Sequence, residues 1–121
     1  MEKKRRYVLK NKTTGKIEIK IYFIEQIEKG LHKLFDIENY DIISRDLFTG
    51  KQDKYGKDIY ECDIWERDGF IGIVLFKYST WIFEKAPSSK FYQYPSFYSN
   101  AKYGILIGDI HKNPELLGDK Y

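Results

Sequence analysis

Asp68-Gly69 sits between two runs of strand-forming residues, Tyr60 to Arg67 and Phe70 to Phe76, and constrains the fold more than any other feature of the chain. Both central residues of a type I′ turn need positive φ, so Asp-Gly between such runs is a strong hairpin signal. The first run sets Ile64 opposite Asp63 and Trp65. The second, Phe70-Ile71-Gly72-Ile73-Val74-Leu75-Phe76, reads as a strand buried on both faces or wrapped into a small barrel, with Thr80–Glu84 as its neighbour.

The same period-two logic applies at the N-terminus. Lys16 to Phe23 places Ile17, Ile19, Ile21 and Phe23 on one face and Glu18, Lys20 and Tyr22 on the other, a half-buried strand. It pairs across the turn chemistry of Asn11–Gly15 with a short strand over Arg6–Lys10. Ile43–Phe48 and Tyr103–Gly108 are further strands. Asn113-Pro114 to Gly118 reads as one helical turn with Asn113 as N-cap and Gly118 as C-cap. Aromatic residues make up 17% of the chain, which favours pleated, half-buried surfaces. The expected fold is mainly β: a small SH3-like or Greek-key barrel over residues 43 to 110, with an N-terminal β-hairpin and a short C-terminal helical turn. At 121 residues the chain is expected to be a single domain, 1–121.

Residues 24 to 43 leave two readings open. Ile27, Leu31, Leu34 and Phe35 recur with helical spacing, yet Gly30 sits among them, where a helix interior loses about 1 kcal/mol against alanine. Lys29-Gly30 serves equally well as a turn between two strands.

Cys62 is the only cysteine, so no internal disulfide is possible, and a reduced, cytoplasmic setting is expected. The basic start, Lys3-Lys4-Arg5-Arg6, is followed by no apolar run of signal-peptide length, and no segment approaches a membrane span. Basic residues concentrate in residues 1 to 20, while the remainder is net acidic, within an overall charge of +3. Lys3, Lys4, Arg5 and Arg6 are therefore candidate phosphate contacts. The plainer alternative is a terminal edge strand whose lysines discourage edge-to-edge pairing, and the interleaved Tyr7, Val8 and Ile17 favour it.

Thr49 to Trp65 crowds Asp53, Asp58, Glu61 and Asp63 with lysines and glycines. Those carboxylates can in principle hold a hard cation, and Asp58, Glu61 and Asp63 are the set an enzyme acting on nucleic acid would use. They do not follow the spacing of a calcium loop, and interleaved lysines reduce the negative charge. A polar turn at Asp53–Lys57, with Gly56 in the left-handed region, explains the pattern better, so neither a catalytic residue, a metal nor a cofactor is expected. Cys62 would act as a nucleophile only with His111 beside it. Glu18-Ile19-Lys20 has the shape of some nuclease strands but lacks the preceding aspartate.

Aromatic residues crowd between Phe76 and Tyr103, interleaved with Lys77, Lys85, Lys90 and Lys102. Trp81, Phe91, Tyr92, Tyr94 and Tyr98 are the candidate binding residues. They suit base stacking along a single strand, or a core and interface role in which Tyr, Trp and Phe are enriched. The second role fits better.

Phe48-Thr49-Gly50, Asp53-Lys54, Gly56-Lys57, Ile59-Tyr60-Glu61 and Asp63-Ile64, followed by Ile107-Gly108-Asp109-Ile110 and Asn113-Pro114-Glu115-Leu116-Leu117, resemble the signature blocks of the YopX family. The resemblance implies a small, mainly β protein encoded by temperate phages and prophages of Gram-positive bacteria, without an assigned activity. It tilts residues 24 to 43 toward strands. It also marks a departure: relatives usually carry glycine where this chain has Cys62, which implies a β-like or closely packed position here. The resulting expectation is a non-enzymatic accessory protein that binds a nucleic acid or a host protein, with a homo-oligomer possible. The alternatives are a metal-dependent enzyme on nucleic acid and an oligomeric assembly subunit.

Overall fold

β1 (Lys4–Asn11) and β2 (Ile17–Phe23) form the antiparallel hairpin that the alternation predicts, in a computed structural model describing residues 3–90 and 95–118. The Asn11 side-chain oxygen accepts the N–H groups of Thr13 and Thr14 at 2.8 and 3.0 Å and shapes the turn. Contacts divide the chain into two units, residues 1–48 and 49–121.

In the first unit β1 is not an edge strand. It lies between β2 and β3 (Tyr40–Gln52), antiparallel to both, which corrects the reading of its lysines as edge protection. Arg6 stands opposite Asp46, and the Arg6 guanidinium donates to Asp46 Oδ2 from Nε at 3.0 Å and from a terminal nitrogen at 2.7 Å. Both side chains are buried.

The faces of β2 are also exchanged relative to expectation. Tyr22 is buried beside Tyr7 and Leu9, while Ile21 and Phe23 are each 42% exposed. The burying partner is the segment left open above, where the tilt toward strands is overturned over residues 24–33, while the segment's last residues, from Tyr40, join β3. Ile24–Glu28 is a short helix, α1, and Leu31–Lys33 a 3-10 turn. Ile27, Leu31, Leu34 and Phe35 pack on Tyr7, Leu9 and Tyr22, so helical spacing was the better signal. Gly30 adopts φ 111°, a conformation that separates the two helical pieces and explains the glycine.

β3 carries the chain into the second unit, where β4 (Asp58–Tyr60) pairs with it. There β5 (Asp63–Arg67), β6 (Phe70–Lys77), β7 (Thr80–Lys85) and β8 (Ile105–Asp109) form an antiparallel sheet ordered β7-β6-β5-β8. Three hairpin-linked strands with the fourth returning beside the first make a Greek key. The sheet stays open, with β7 and β8 at its ends. Asp68 and Gly69 take φ 49° and 90°, as their turn requires.

This sheet is buried on both faces. Trp65 and Val74 pack with Ile59, Phe70, Phe83 and Phe97 on one side. Ile64 and Ile73 pack with Ala86 and Leu117 on the other. Leu117 comes from the expected C-terminal turn, a 3-10 helix over Pro114–Leu117. Asn113 does not cap it by side chain; its Oδ1 accepts the Asp109 N–H instead, at 3.2 Å. Among the described residues no helix is long and apolar enough to cross a membrane.

Candidate functional site

Tyr78 and Ser79 turn β6 into β7 with φ 55° and 62°, a two-residue hairpin made without glycine. The turn leaves Tyr78 90% exposed at its tip. From there a row of rings runs inward along β7. Phe76 meets Trp81 edge-on across the strands at 5.2 Å between centroids, Trp81 meets Phe97 at 6.2 Å, and Phe97 meets Phe83 at 5.1 Å. Phe83 stacks on the fully buried Trp65 at 4.0 Å. Phe97 opens α2 (Phe97–Asn100) and drives into the core, while its neighbour Tyr98 stays 54% exposed. The core thus continues to the surface as one aromatic series, which fixes Trp81 in place at its outer end.

Beside this row lies an open groove of about 480 Å³ lined by Tyr78, Trp81, Phe83, Pro95, Phe97 and Tyr98, with Lys77 and Glu84 among its charged residues. Lys77 Nζ donates to Glu84 Oε1 at 3.0 Å, so the two charges offset each other. The groove follows β7, and the ladder geometry shows which backbone groups face it. Val74 accepts from Cys62 N–H at 2.7 Å, so its backbone points away from β7, while Ile71 accepts from Ala86 N–H at 2.9 Å. Alternation then makes Ile73–Glu84, Leu75–Ile82 and Lys77–Thr80 the hydrogen-bonded pairs. The N–H and C=O groups of Trp81 and Phe83 therefore point out of the sheet, and no strand among the described residues pairs with that edge.

Of the candidate binding residues, Trp81 and Tyr98 come together at this groove. Phe91, Tyr92 and Tyr94 lie outside the described residues. Lys3, Lys4, Arg5 and Arg6 belong to the first unit. Lys3 is exposed, and Arg5 is half-buried opposite Tyr22 and Leu47. The Lys4 ammonium lies over the Phe48 ring at 4.7 Å, and Arg6 is held by Asp46. Phe76, Phe83, Phe97 and Tyr78 complete the row, and the sequence did not single them out. Their apolar character is visible, but their convergence depends on the Tyr78-Ser79 turn, which carries no glycine signal.

Two carboxylates of the Thr49–Trp65 stretch, those of Asp53 and Asp63, accept backbone N–H groups. Asp53 Oδ1 accepts Tyr55 and Lys57 N–H groups at 2.9 Å each, and Oδ2 accepts Leu106 N–H at 2.9 Å. Gly56 takes φ 78° in the turn so formed. Asp63, buried, accepts Tyr60 N–H at 2.8 Å. Asp58 accepts from Gln52 Nε2 at 3.1 Å, and Glu61 sits in the turn before β5. Asp109 Oδ1 likewise accepts His111 and Lys112 N–H groups at 2.9 Å each. These contacts hold turns closed.

Cys62 corrects another expectation. It is not β-like: φ is 73°, the left-handed conformation that glycine adopts freely. Its N–H and C=O tie it to Val74 and Ile110, at 2.7 and 3.0 Å. Its Sγ and a ring nitrogen of His111 lie within 4.8 Å, so the neighbour that a nucleophilic thiol would need is present.

A family model described as YopX protein matches residues 2–118. No curated protein matches the chain. The matched span covers nearly all of both units and includes the backbone-capping aspartates and the groove.

Proposed function

The chain belongs to the YopX family, and from that premise we propose that it is a non-enzymatic phage or prophage accessory protein that binds an extended polypeptide, such as a segment of a host protein, beside β7. One observation carries this reading: an aromatic groove coincides with a strand edge whose Trp81 and Phe83 backbone groups face outward. An added strand satisfies those groups, and its alternate side chains enter the groove between Trp81 and Tyr98. Lys77 and Glu84 offset each other, so the lining suits an apolar peptide better than a phosphate backbone. Asp53 and Asp63 are engaged by backbone N–H groups, which supports a structural over a catalytic role for these two carboxylates.

Selection of displayed extended peptides on the full chain tests this. Recovered peptides should bind the wild type and lose about tenfold in affinity, or ~1.4 kcal/mol, on Trp81→Ala and on Tyr98→Ala. Tyr98→Ala, at an exposed position, should leave the thermal midpoint in place. Peptides indifferent to both substitutions, or no peptides at all beside tight single-stranded oligonucleotide binding, would remove the reading.

A further inference from the structure

We infer that β2 is a self-association edge, on which a second copy of this chain adds antiparallel about Ile19. β2 ends the sheet order β2-β1-β3, and no strand among the described residues pairs with its outer side. Its ladder with β1 is fixed by Asn11 N–H donating to Lys16 O at 2.9 Å and by Ile24 N–H donating to Lys3 O at 3.1 Å. Alternation turns the backbone of Lys16, Glu18, Lys20 and Tyr22 toward β1, and that of Ile17, Ile19 and Ile21 outward. The next outward donor, Phe23 N–H, is already taken by Gln26 Oε1 at 2.9 Å, so the open stretch stops there. The outward side is a β-branched, extended edge with Ile21 and Phe23 half-exposed on one face.

The side chains say what fits such an edge. Two copies centred on Ile19 place Ile17 against Ile21 of the second copy and Ile19 against its own equivalent. All of these carry outward N–H and C=O groups. On the other face Glu18 then stands directly opposite Lys20 of the second copy, twice by symmetry. Sliding one copy by two residues sets Glu18 against Glu18 or Lys20 against Lys20, and like charges directly opposite destabilise a pair. Sliding by one residue opposes outward backbone groups with inward ones. Charge and backbone pattern thus select one register and one partner, and the contact is isologous and closes on itself. Lys20 is exposed, and Glu18, which already accepts the Tyr40 hydroxyl, retains acceptor capacity on its carboxylate. The lysines of this edge therefore set a register instead of blocking pairing.

Sedimentation equilibrium of the full chain at low salt tests the inference, with Lys20→Glu, Ile19→Pro and the charge exchange Glu18→Lys/Lys20→Glu. Expected is a reversible dimer whose dissociation constant rises about tenfold in Lys20→Glu and returns to within about threefold of wild type in the double exchange. Ile19→Pro, which removes an outward donor without touching the β1 ladder, should be monomeric. Concentration-dependent protection of the Ile17, Ile19 and Ile21 amides from hydrogen exchange should accompany the dimer. A monomer at all concentrations up to about 0.5 mM overturns the inference. So does a dimer that Lys20→Glu leaves unchanged. Should Ile19→Pro fail to fold, the two charge variants decide. The groove beside β7 plays no part, so Trp81→Ala leaves the dimer intact whether or not that groove binds a peptide.

Discussion

At Cys62 a side chain occupies a conformation that glycine holds without cost. The left-handed region costs an L-residue about 1–2 kcal/mol, while glycine loses roughly 0.4–1 kcal/mol through its freer unfolded chain. The first term outweighs the second, so Cys62→Gly should raise stability by about 0.5 kcal/mol. Cys62→Val, β-branched at φ 73°, should lower it by at least about 1 kcal/mol. Urea midpoints of the three proteins would check the order glycine, cysteine, valine, and a glycine variant below wild type would show that the thiol's contacts dominate. Arg6 teaches a related lesson. Its charge was visible in a basic cluster, but its partner lies forty residues away, so a side chain read as a phosphate contact proves to be half of a buried pair.

Among the elements, the turn at Asp53–Lys57 shows how a site-like composition arises from folding alone. One carboxylate satisfies Tyr55, Lys57 and Leu106 N–H groups, so Asp53→Ala should destabilise by about 2–4 kcal/mol, several times the loss from Asp58→Asn at a half-buried position. Comparable thermal midpoints for the two variants would contradict that division. The hairpin around Asp68-Gly69 was legible because both of its conformational demands fall on residues that advertise them. The Tyr78-Ser79 turn was not, since tyrosine and serine at positive φ carry no such mark. For β2 the period was legible and the buried face was not, because alternation assigns residues to two faces without saying which one α1 will cover. Tyr22, on that covered face, titrates above its ordinary value, first through burial and then through Glu18 and Tyr7. Tyr40 is raised chiefly because its hydroxyl donates to Glu18. Both stay protonated in the folded chain after the unfolded chain has begun to ionise near pH 10, so their contribution is complete below that pH and is lost as pH rises through the folded values. Urea midpoints should fall between about pH 9 and pH 11, less steeply in Tyr22→Phe, and an unchanged slope would exclude Tyr22 as a source.

Across the whole molecule, charge and aromatic residues suggest different partners, and salt separates them. The sequence placed a basic cluster at one end and an aromatic cluster in a later loop, and either can serve a nucleic acid. The structure divides their duties: Arg6 is bound to Asp46, Lys4 covers Phe48, and the groove charges Lys77 and Glu84 offset each other. Of the foreseen aromatic set, the two that fall among the described residues, Trp81 and Tyr98, meet at the groove, and their meeting depended on α2, which a proline- and serine-rich stretch did not announce. A single strand held by Z phosphate contacts would lose affinity with a logarithmic salt slope of about −0.7Z. A peptide held by strand addition and ring contacts releases few counterions, so its slope should be shallow, smaller in magnitude than about 1. Replacing Lys3 and Lys4 by glutamine should not alter it. Measured on the full chain from low to moderate salt, a steep slope that flattens in the glutamine variant would assign the partner to nucleic acid and the N-terminal lysines to its backbone. A shallow slope that disappears with Trp81→Ala leaves the groove beside β7 as the surface through which the protein acts.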